Sequence, residues 1–127
     1  MLRKIGLTLL CATASLSTGL YAATSHVLKA GVTVEYDLPP NQPQEFINYM
    51  YWEVSANCKI TTQDASNDLV AIAKAKKGKV NDIPLSKGDS LRLTVHNGDV
   101  IKLSAESGAK VEITNEGKHT IKATCST

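Results

Sequence analysis

Beyond residue 30, apolar and polar side chains alternate with period two, and turn-forming residues recur about every ten positions. That combination predicts an antiparallel all-β domain, because successive strand side chains point to opposite faces. Val32, Val34, Tyr36 and Leu38 alternate with Thr33, Glu35 and Asp37. The run stops at Pro39-Pro40-Asn41-Gln42-Pro43, where proline cannot donate to a ladder. From Glu45 to Thr62 the even positions are Phe46, Asn48, Met50, Trp52, Val54, Ala56, Cys58 and Ile60, all but one of them apolar or cysteine. The pattern predicts one long strand with that set facing the core and a bend or bulge near Ser55 to Asn57.

Gln63 to Asp68 reads as a polar loop and Leu69 to Ala75 as a buried strand. Val80 to Leu85, interrupted by Pro84, is a candidate edge strand. Gly88 to Val95 is echoed ten residues later by Gly98 to Ala105, each copy a turn followed by an alternating strand. Asn97-Gly98 between them predicts a type I′ hairpin. Ser107-Gly108 and Glu116-Gly117 then delimit strands at 109–114 and 119–124. The C-terminal third is thus expected to be a meander, with Ile101, Leu103, Val111, Ile113, Ile121, Ala123 and Cys125 inward.

The first 22 residues stand apart. Arg3 and Lys4 precede an uncharged apolar and small-residue stretch from Ile5 to Leu20, and Leu20-Tyr21-Ala22 supplies a small residue for a peptidase. This reads as a signal peptide cleaved near Ala22, leaving a single domain over 23–127; Leu10 before Cys11 does not suit a lipid anchor. The expected location is therefore outside the cytoplasm, in a bacterial periplasm or secreted. The chain carries 14 Lys+Arg against 12 Asp+Glu. Without Arg3 and Lys4 the two counts are equal, and no basic excess remains for nucleic acid. Cys58 and Cys125 remain, an even count in an exported chain, so a disulfide between them is expected.

Trp52 beside Cys58, with a partner cysteine late in the chain, resembles the immunoglobulin-like sandwich. The order differs: immunoglobulin domains place the Trp after the first Cys, and their Tyr two residues before the second Cys is Ala123 here. The resemblance implies only a small two-sheet sandwich of about seven to nine strands.

Candidate chemistry is sparse. His26, His96 and His119 are scattered, no zinc-type spacing occurs, and the Gly-Asp pairs at 88–89 and 98–99 lack the acid series of a calcium loop. No nucleophile signature is present, and neither a metal nor a cofactor is expected. Four of the six aromatics fall between Phe46 and Trp52. If the even positions are buried, Ile47, Tyr49, Tyr51 and Glu53 form an outward stripe suited to a protein or carbohydrate partner, unless a loop covers it. Lys74, Lys76, Lys77 and Lys79 read as a basic hairpin tip. Such lysines could meet anionic lipid or polysaccharide, but they commonly blunt an edge strand. The expectation is an exported, non-catalytic binding or accessory protein with no membrane span. A pilin-like assembly subunit and a small hydrolase or inhibitor are the alternatives.

Overall fold

The alternating pattern resolves into eleven strands, with no helix, in a computed structural model that describes residues 23–127. The leader segment read at residues 1–22 lies outside the described residues. The strands are β1 (Thr24–Val27), β2 (Thr33–Leu38), β3 (Gln44–Ile47), β4 (Val54–Thr61), β5 (Asn67–Ala75), β6 (Gly78–Val80), β7 (Ile83–Leu85), β8 (Ser90–Val95), β9 (Val100–Ala105), β10 (Lys110–Asn115) and β11 (Ile121–Ser126). They form two sheets. Sheet A has the order β8-β5-β10-β3-β1, and sheet B the order β2-β11-β4-β9-β6-β7. All neighbours are antiparallel except β1, which runs parallel to β3 at an edge of sheet A.

Burial follows the alternation. Strand β4 reads buried-exposed throughout, with Val54, Ala56, Cys58 and Ile60 inward. Leu69, Ala71 and Ala73 face them from β5 in the opposite sheet, and Ile121, Ala123 and Cys125 line the same inner face from the neighbouring strand β11. Each large side chain removed from water contributes roughly 1.5–3 kcal/mol, and the small alanines let the sheets approach. The outer face of sheet A is laced by charge: Lys74 with Glu112 at 4.0 Å, Lys110 with Glu45 at 3.9 Å, and Arg92 with Glu116.

Connectivity departs from the expected meander. Of the ten connections only β6 to β7 stays within one sheet, and every other one crosses to the opposite sheet. The Asn97-Gly98 turn is therefore an arch from β8 in sheet A to β9 in sheet B. Only Gly98 of the pair has positive φ, whereas a type I′ hairpin needs both. The two-residue turn that has both is Asn81-Asp82, with φ of 50° and 65°, between β6 and β7. Pro84 sits on β7, the edge of sheet B. The stretch 45–62 is likewise two strands in different sheets, β3 and β4, joined by an arch over 48–53.

The bridge does form, and Cys58 and Cys125 are both buried. The two residues face each other across neighbouring strands β4 and β11 of sheet B, with Cα atoms 3.9 Å apart. This differs from the immunoglobulin arrangement, in which the bridge joins the two sheets.

The disulfide also marks a local two-fold axis. Residues 31–60 and 98–127, offset by the 67 residues that separate the cysteines, follow the same path. Glu45 pairs with Glu112 and Cys58 with Cys125, each residue meeting its own counterpart. Val34 opposes Cys125 as Ile101 opposes Cys58. The Asn41 amide donates to Asn115 O as the Gly108 amide donates to Asn48 O. The left-handed residues coincide too: Gly31 with Gly98, and Asn41 with Gly108. The sequence echoes the geometry, with Glu45, Asn48, Ala56 and Cys58 matched by Glu112, Asn115, Ala123 and Cys125.

Candidate functional site

The two arches of this repeat emerge at opposite ends of the sandwich, because β3 and β10 are antiparallel neighbours. Each is built on one fully buried asparagine. Asn48, 0% exposed, donates from Nδ2 to Trp52 O at 2.8 Å and to Ala105 O at 2.9 Å, and its Oδ1 accepts from the Met50 amide at 2.8 Å. Asn115, also 0% exposed, donates to His119 O and Leu38 O and accepts from the Gly117 amide. The partners correspond one for one. A buried amide is stabilising only when its donors and acceptors are paired, and here both are used to close a five-residue loop. Ser107 Oγ adds a bond to Met50 O at 2.6 Å.

What the arches display differs. The second carries Glu116, Gly117, Lys118, His119 and Thr120, while the first carries Tyr49, Met50, Tyr51, Trp52 and Glu53. Tyr49 is 67% exposed, Tyr51 94% and Trp52 56%. The same backbone staple thus closes over polar residues at one end of the molecule and presents three aromatic rings to solvent at the other. Aromatic side chains are therefore no requirement of this arch.

The expected outward stripe is only partly present. Tyr49, Tyr51 and Glu53 are exposed, on an arch rather than a strand, whereas Ile47 is buried at the end of β3 and Trp52 faces outward. Period two fails there because the chain leaves sheet A at Asn48 and enters sheet B at Val54. The basic segment is also an arch, from β5 to β6. Lys76 and Lys77 form its tip, Lys74 projects from the outer face of sheet A beside Glu112, and Lys79 is exposed on β6.

The lysine tip adjoins the aromatic arch through the turn at 106–109. Glu106 N donates to Lys77 O, and the Lys77 amide lies 3.3 Å from Glu106 Oε1. The Lys76 side chain lies over Gly108, whose amide donates to Asn48 O. Segment 28–30 joins the same end, since the Leu28 amide donates to Ile47 O. Sequence reasoning missed Trp52 and Asn48. The signal that would have found them is the 67-residue repeat, which aligns Asn48 with Asn115 and Trp52 with His119.

The opposite end is ionic. Asp64 Oδ1 accepts from the His119 ring at 2.8 Å and Asp64 Oδ2 from Asn67 at 3.1 Å, and these bonds hold its carboxyl below the usual 3.8. Asp99 is lowered likewise by the His96 amide and ring. A carboxyl depressed in the folded state stabilises above its unfolded pKa and loses that contribution as pH falls through the folded value. The unfolding midpoint is therefore expected to fall as pH drops below about 3.8, and less steeply in an Asp64→Asn, Asp99→Asn variant. A parallel fall in both proteins would contradict the assignment. Among the described residues no group of three His, Cys, Asp or Glu side chains could hold a metal ion. No family model, no curated protein and no solved structure matches this chain.

Proposed function

We propose that the protein is a non-catalytic binding module that works outside the cytoplasm and docks through the aromatic arch at 48–53. One observation carries this reading: two arches with the same staple differ in that one exposes Tyr49, Tyr51 and Trp52 where the other exposes Glu116, Lys118 and His119. Exposed aromatic area is unfavourable in water, and the polar arch indicates that the fold does not need it. A rigid base limits the entropy lost on binding. Tyr and Trp offer large contact area with a polar edge, the composition of recognition surfaces. Two features support export: the leader-like composition of residues 1–22 and a disulfide, a bond rare in reducing compartments.

Exchanging the arch tests the reading. A Tyr49→Glu, Tyr51→Lys, Trp52→His variant takes the residues of the opposite arch onto the Asn48 staple. Its unfolding free energy should stay within about 1 kcal/mol of the parent, as for surface substitutions, while binding through the arch drops to background. A stability loss of several kcal/mol would show that the rings are structural.

A further inference from the structure

Resting on that docking reading, we infer that the surface received by the aromatic arch is an anionic lipid bilayer. Tyr51 is 94% exposed, so its ring is a convex projection with almost no protein around it. A small ligand there would be touched from one side only, whereas a fluid interface closes around a projecting ring. Tyr and Trp are the residues that settle at the bilayer-water boundary, apolar body inward and hydroxyl or indole N–H at the headgroups.

The charge beside the arch fits an anionic headgroup layer. Lys76 and Lys77 crown the neighbouring arch and Lys29 leaves β1 beside the base; none makes an ion pair among the described residues. The nearby acids are largely engaged: Glu106 faces the Lys77 amide, Glu45 pairs with Lys110 and Glu112 with Lys74. Glu53, exposed where the arch rejoins β4, is the one acid of the arch itself. Lysine stems bend so that the ammonium stays at the headgroups while the aromatic tip goes deeper. The opposite arch, with Glu116 beside Asp68 and Arg92, lacks this pairing of rings with unpaired lysines.

The chain has one tryptophan, so Trp52 reports its own insertion. Purified oxidised protein is mixed with phosphatidylcholine vesicles, with or without phosphatidylglycerol, and followed by flotation and Trp52 emission. Flotation with the anionic vesicles and a shift of emission to shorter wavelength are expected, both weakened by salt. Lys76→Gln with Lys77→Gln should reduce binding at least tenfold, at about fivefold per lysine, without moving the unfolding midpoint. Tyr49→Ser with Tyr51→Ser should abolish it and leaves the probe in place. Absence of flotation, unchanged Trp52 emission on binding, or binding indifferent to the two lysines would overturn the lipid assignment. If those results accompany an unchanged midpoint in the arch-exchange variant, the docking reading stands with a protein or polysaccharide partner; a collapsed midpoint defeats both.

Discussion

Replacing Cys58 and Cys125 together with alanine is expected to cost about 4 kcal/mol of unfolding free energy, because the bridge closes a loop of 67 residues in the unfolded chain. Whole domains of this size are stable by only about 5–15 kcal/mol, so the variant should be marginal at physiological temperature. Alanine is the better substitution here. Cys58 is 2% exposed and Cys125 7%, and serine would add the cost of burying a hydroxyl. The bridge sits on the two-fold axis, where β4 and β11 face each other, so it also fixes the register of the central pair of sheet B. Urea unfolding monitored by circular dichroism measures the loss. A change below about 1 kcal/mol would show that the ladder alone sets that register and that the bond contributes little.

The second large effect concerns the buried asparagines. Asn48→Ala would strand Trp52 O, Ala105 O and the Met50 amide, and Asn115→Ala their counterparts His119 O, Leu38 O and the Gly117 amide. Each unsatisfied buried group costs roughly 1–3 kcal/mol, with some relief where water reaches the loop. A loss of about 3 kcal/mol is expected for either variant, and the two should agree because the networks match. Their functional consequences should differ. Asn48→Ala frees the aromatic arch and weakens docking, whereas Asn115→Ala loses the same stability at the opposite end and leaves docking intact. Unequal stability losses would break the equivalence of the two arches. Equal loss of docking would mean that binding follows global stability, with no special part for the 48–53 arch.

The all-β class, the two-sheet sandwich and the disulfide were legible because period-two alternation reports burial directly and sets both Cys58 and Cys125 on inward positions. Inward positions such as Ile60, Ile113 and Ile121 are buried as the alternation implies. Connectivity was illegible for a physical reason. A glycine turn between two alternating strands satisfies the same local rules whether the chain folds back within one sheet or arches to the other, and Asn97-Gly98 does the latter. The 45–62 stretch misled similarly. Alternation continues in the sequence through Met50 and Trp52, but the side chains there belong to an arch whose geometry is set by Asn48, and a strand's period has no meaning across it. Asn48 looked like the exception among inward apolar residues; it is the residue on which the arch is built. The exposure of Tyr49 and Tyr51 was foreseen from the wrong element, and Trp52 was placed on the wrong side for the same reason.

Collisional quenching of the lone tryptophan tests most directly whether the arch holds its rings out to water on a base that needs none of them. In the folded, oxidised protein without partner, acrylamide should quench Trp52 nearly as efficiently as in the urea-unfolded chain, with emission typical of an exposed indole. A protected Trp52 with short-wavelength emission would mean that the ring packs against the protein, and the aromatic arch would then be part of the core.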